Sequence, residues 1–195
     1  MPSLKSLCLC LVFVAPAAFA EGIRFDEMPV GCRIHGSDSA GEKTVSVYVG
    51  KTGRKHVVKT YVGPDGTDLI RTSTYSSDGL LLRKDWAGGE WETFSPASCI
   101  NVPGQCSYTY RNGDGAKLKY VGENTAKGDL IVNKGGFVGD APFNPVVSTM
   151  GRFNDQIAVA EGDWSFKVTK YEGCEALGSC RPYLAVVSWG PASAP

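Results

Sequence analysis

Excess charge of either sign is missing from this chain: 20 basic residues stand against 20 acidic ones. A sequence so balanced has no electrostatic footprint for nucleic acid or an anionic membrane, so nucleic acid is not an expected partner. Histidine is scarce too, with His35 and His56 the only two. A histidine-dependent dyad or triad has just those two candidate bases, and no G-x-S-x-G nucleophile elbow accompanies them. Four closely spaced Cys/His ligands for zinc are lacking. Asn112-Gly113-Asp114-Gly115 and Asp65-Gly66-Thr67-Asp68 are oxygen-rich but lack calcium-loop spacing and read as hairpin turns. The residues suggest no metal, cofactor or catalytic group. No window has the apolar periodicity of a useful amphipathic helix.

What is present begins with an export signal. Residues 1–6 carry one lysine, and residues 7–14 form an apolar run too short to remain as a membrane span. Ala15-Pro16-Ala17 then leads to Ala18-Phe19-Ala20, the small-x-small pattern that signal peptidase recognises. Cys8 and Cys10 lie inside the apolar run, not after it as a lipoprotein would require. The expectation is a cleaved signal peptide over 1–20 and a single domain over 21–195, exported to a periplasm or secreted. Hydrophobic residues at 43% and charged residues at 21% give that domain an ordinary globular composition.

Export changes the reading of the cysteines, because an oxidising compartment favours disulfides over metal ligation. Cys32, Cys99, Cys106, Cys174 and Cys180 follow the signal. Cys99 and Cys106 flank a turn-rich stretch, and Cys174 and Cys180 flank another short one. Two local bridges, Cys99–Cys106 and Cys174–Cys180, are expected, with Cys32 left as a buried thiol. Cys32 and His35 resemble a thiolate–imidazole pair only in spacing, since three residues along a strand place them on opposite faces.

Turn signals recur from Gly41 to Gly135, among them Asp78-Gly79, Gly88-Gly89 and Pro103-Gly104. Between them lie strand-length segments of alternating polarity, near 31–35, 43–50, 55–63, 67–75, 80–86, 90–95, 106–111, 116–122, 129–133, 163–171 and 182–189. The short links favour an antiparallel meander over βαβ units. The expected fold is all-β, with about nine or ten strands curled as a barrel, a half-barrel or two packed sheets. The stretch 142–160 is the least regular and reads as a long loop or a helical turn.

Alternation assigns Val45, Val47, Val49, Val58, Tyr108, Tyr110, Leu118, Tyr120, Trp164 and Phe166 to one apolar, aromatic face. The segment Asp85-Trp86-Ala87-Gly88-Gly89-Glu90-Trp91-Glu92 combines carboxylates with tryptophans, as a glycosidase site would. Alternation nevertheless places Trp91 opposite both glutamates, the pattern of a hairpin with its ring in the core and its charges in water. Three functions follow, in order of support. First is a non-enzymatic exported binding protein holding an apolar or lipid-like ligand within the curved sheet, with Tyr108, Tyr110, Tyr120 and Trp164 lining the site. Second is a structural or interaction module that meets another envelope or extracellular protein. Third is a carboxylate- or thiol-dependent hydrolase.

Overall fold

Short, alternating segments joined by glycine turns can satisfy their backbone groups only by pairing with neighbours in sequence, and closing the sheet removes its edges. In the computed structural model, which describes residues 22–63, 66–128, 130–139, 146–151 and 153–174, this happens completely. The strands are β1 (Arg33–Asp38), β2 (Lys43–Thr52), β3 (Lys55–Val62), β4 (Asp68–Tyr75), β5 (Leu81–Trp86) and β6 (Trp91–Ser98). They continue as β7 (Gly104–Asn112), β8 (Lys117–Lys127), β9 (Leu130–Phe137), β10 (Val146–Met150), β11 (Gln156–Glu161) and β12 (Trp164–Glu172). Each pairs antiparallel with the next, and β12 returns to β1, giving a closed twelve-stranded barrel.

The expected all-β meander is therefore correct and its closure is a barrel, but there are more strands than nine or ten. The additional pair is β10 and β11, which occupy much of the stretch read as irregular. Their connection turns through Asn154, a non-glycine residue at φ 58°, and so lacks the positive-φ glycine that marks many of the other hairpins. The expected strand at 182–189 and the signal segment 1–20 lie outside the described residues.

Strand direction alternates around the barrel, so links after odd-numbered strands gather at one end and links after even-numbered strands at the other. The second end is stoppered. The segment 22–32 crosses it, with Ile23 N–H donating to the Gly79 carbonyl (3.1 Å) and Arg24 N–H to that of Phe153 (2.7 Å). A Cβ on Gly79 would collide with the Ile23 backbone, so this approach requires glycine. Phe25, Met28 and Phe153 are buried there with Tyr48, Cys32 and Cys174. The loop after β6 folds over the same end, where the Asn124 side-chain amide donates to the carbonyls of Cys99 (2.7 Å) and Val102 (2.6 Å).

Two disulfides join the described residues, Cys99–Cys106 and Cys32–Cys174. The first is the local bridge expected from the sequence. The second replaces the expected Cys174–Cys180 pairing and removes Cys32 from the free thiols. Its cause is barrel closure: Arg33 pairs with Glu172 across the β1–β12 seam, bringing the adjoining cysteines together from 142 residues apart. Cys180 lies outside the described residues. Two disulfides are consistent with an oxidising compartment, and no helix among the described residues is long and apolar enough to cross a membrane.

The two faces of β2 are the reverse of the expected assignment. Ser46 and Tyr48 point into the barrel, where the Ser46 hydroxyl meets that of Thr60 (3.0 Å) and the Tyr48 hydroxyl meets His56 Nδ1 (2.8 Å). Val45 and Val47 point outward, and Val49 is 46% exposed. The outward valines are partly covered by neighbours: Arg33 and Lys59 flank Val47, and Tyr61 and the Gly66 turn flank Val45. On β8 the exposed positions include Lys117, Lys119, Glu123 and Lys127, where a lipid-facing barrel would carry an apolar band.

Candidate functional site

The interior is filled unevenly. Tyr108 and Tyr120 stack with ring centres 4.7 Å apart, and Phe94 meets Tyr108 edge-on at 5.6 Å. Tyr120 donates to Asn133 Oδ1 (2.6 Å), and the Asn133 amide donates in turn to Asn124. These rings bury their area against one another, the usual geometry of aromatic core packing. Tyr108 and Tyr120, expected to line a ligand cavity, are therefore core residues. Trp164 does not face the core either: it is 46% exposed, with Phe166 stacked beside it at 6.5 Å. Of the four expected ligand residues, Tyr110 alone lines the cleft described next.

That cleft, of about 600 Å³, lies at the end opposite the stopper, between the β5–β6 and β7–β8 hairpins. Trp86, Trp91, Glu92, Tyr110, Asn112 and Asp114 line it, together with the glycines of both turns. Cross-strand register places Lys84 beside Glu92 and Phe94 beside Tyr110, facing inward. Lys84 Nζ lies 3.1 Å from a Glu92 oxygen, and Trp86 Nε1–H donates to Glu92 at 3.3 Å. The expectation of charges outward and Trp91 inward is thus inverted, because Glu92 finds both a cation and a donor inside the barrel. Trp91 lies on the outer side, with the Arg83 guanidinium 5.2 Å from its ring centre. Arg83 is held in place by a close ion pair with Asp85 (2.6 Å).

Behind the cleft, Arg71 rests over Trp86 at 5.3 Å, and its buried Nε has no hydrogen-bond partner among the described residues. Burial, reinforced by the nearby Glu92 and Asp114 carboxylates, pushes the Tyr110 hydroxyl above its ordinary pKa. Tyr110 therefore stays protonated at neutral pH and remains able to donate. On the rim, the Asn112 side chain accepts from Ala116 N–H (2.9 Å) and donates to Asp114 (3.2 Å). This is turn chemistry, as expected, but it also fixes the direction of the Asp114 carboxylate.

The remaining chemical candidates separate. Cys32 is in a disulfide, and His35 pairs with Glu172 at 3.0 Å on the outside of the β1–β12 seam. His56 is buried in the stopper, away from the cleft. No group of three or more Cys, His, Asp or Glu side chains among the described residues is arranged to hold a metal ion. The chain matches no family model, no curated protein and no solved structure.

Proposed function

We propose that the chain is an exported, non-enzymatic binding protein that takes a small molecule at the cleft between the β5–β6 and β7–β8 hairpins. The observation that carries this reading is the asymmetry of the barrel. One end is sealed by an apolar stopper and a disulfide-bound loop. The other presents two tryptophans and a tyrosine beside polar groups in a 600 Å³ recess. Concave, ring-lined sites with a few fixed polar groups are the common form of small-molecule sites. A lipid-like ligand deep among Tyr108 and Tyr120 has less support, because those rings already occupy that space.

The test is a small-molecule fragment screen followed by the indole N–H resonances of residues 21–195. Ligands should shift Trp86 and Trp91 and leave Trp164 unmoved. Shifts confined to Trp164, or to no tryptophan, would overturn the assignment. A second reading, a protein-interaction module, is favoured by the exposed valines on the outer wall. Val30 is 69% exposed and packs near Gly50, next to the exposed Val49. Substituting Val30 and Val49 with serine would abolish a partner complex under that reading and would leave small-molecule binding intact.

A further inference from the structure

Granting that the cleft is a binding site, its charges and rings narrow the class of ligand. Lys84 is neutralised by Glu92 and Arg83 by Asp85. Of the charges nearby, Arg71 remains on one side, and Glu90 and Asp114, without ion-pair partners among the described residues, on the other. The charged residues that line the cleft are carboxylates, Glu90, Glu92 and Asp114, and only Glu92 is offset by a cation, so the cleft disfavours an anion.

The tryptophans count against a cation. A tryptophan face attracts a cation through its quadrupole, but here the protein's own cations already use that attraction. Arg71 and Lys84 lie over Trp86 at 5.3 and 6.0 Å, and Arg83 lies over Trp91 at 5.2 Å. A cationic ligand stacked on either indole would be repelled by these groups. An alkyl chain fits no better, since Asn112, Asp114, Glu90 and Glu92 interrupt the apolar lining.

What remains is a neutral molecule with an apolar face and hydroxyls around its edge. We infer that the cleft binds neutral carbohydrate. The C–H face of a sugar ring lies on Trp91 on the side away from Arg83, and its hydroxyls donate to the carboxylates of Glu90 and Asp114. Asn112 holds Asp114 in position before the ligand arrives, which reduces the ordering entropy of binding. Tyr110 supplies a donor to the sugar oxygens.

The experiment titrates the oxidised protein with neutral cello-, chito- and manno-oligosaccharides, and separately with tetramethylammonium and decanoate, following the tryptophan indole resonances. At least one oligosaccharide should shift Trp86 and Trp91. Trp91→Ala should weaken that binding roughly tenfold, the effect of losing one aromatic contact. Asp114→Ala, on an exposed turn, should weaken it several-fold with an unchanged unfolding midpoint. If tetramethylammonium or decanoate moves the cleft resonances and no oligosaccharide does, the carbohydrate assignment is wrong and the cleft remains a binding site. If none of the probes moves them, and the fragment screen does not either, both readings fall.

Discussion

The Tyr48 hydroxyl and His56 Nδ1 lie 2.8 Å apart beneath the ring of Phe25, which stacks on the imidazole at 4.8 Å. His56 also has a backbone hydrogen bond at Ser77. With Nδ1 accepting from Tyr48 and Nε2–H donating to Ser77, the ring is satisfied in its neutral form. Burial lowers its pKa below 6.5, and the Lys51 charge adds to the effect, while Ser77 and Asp26 partly oppose it. Between that lowered value and about 6.5 the unfolded chain binds the extra proton and the folded chain does not. Stability should therefore fall as pH drops below about 6.5. Unfolding midpoints from pH 7.5 to 5 should decline less steeply in His56→Gln than in the native protein. Parallel slopes would show that another group is responsible. Asp155, whose pKa is raised by burial, acts in the opposite sense, adding stability as pH falls through its raised value. The comparison between variants separates the two.

The two disulfides should differ in their effect on stability. Cys32–Cys174 closes a loop 142 residues long and Cys99–Cys106 one of seven. Loop entropy gives about 5 kcal/mol for the first and roughly 2.5 kcal/mol for the second. Denaturant titration of Cys32→Ala/Cys174→Ala and Cys99→Ala/Cys106→Ala measures both losses. A larger loss from the short loop would mean that the 99–103 segment matters more for packing than the seam does for closure.

Asn133→Ala should destabilise the protein by roughly 3 kcal/mol. Asn133 accepts from the Tyr120 hydroxyl and donates to Asn124, which in turn holds the carbonyls of Cys99 and Val102. Its removal leaves buried polar atoms without partners and loosens the loop over the stoppered end. Amide hydrogen exchange should speed up in residues 99–103 before it does in β2. Uniform exchange across the barrel would contradict this coupling.

Gly122 and Gly135 face each other across β8 and β9, directly over Tyr120. A Cβ on Gly135 would lie 2.5 Å from the Tyr120 hydroxyl and 2.6 Å from the Gly122 Cα. Gly135→Ala should cost about 2 kcal/mol or more, since backbone atoms cannot move aside as a flexible side chain can. The equivalent change at Gly115, where no atom lies within 4 Å but φ is +87°, isolates backbone strain from crowding. Equal losses at the two sites would rule out the crowding account.

The alternation of strand and turn was legible because Asp-Gly and Asn-Gly pairs announce hairpins locally. Strands β10 and β11 were hidden because Asn154 makes their turn without a glycine at the positive φ. Ser46 and Tyr48 look like the wet side of β2 when that strand is read alone. They are interior because Thr60 and His56, one strand away, complete their hydrogen bonds. The inward placement of Glu92 depends in the same way on Lys84, and the Cys32 bridge on a strand 142 residues distant. Of the cleft residues, the sequence marks the Trp86–Glu92 hairpin and Tyr110 as candidates and reads 112–115 as a turn. Their convergence with the 112–115 turn depends on neighbouring hairpins standing side by side, which no periodicity within one strand encodes.

The Cys32–Cys174 bridge and the segment 22–32 sit together at the stoppered end. Both places where the described chain leaves the barrel thus lie on the side away from the cleft. A surface or resin coupled at exposed Asp26, in the segment that crosses this end, would hold the molecule with its recess pointing outward. A protein immobilised in that way keeps the Trp86 and Trp91 recess on the side that meets the solution.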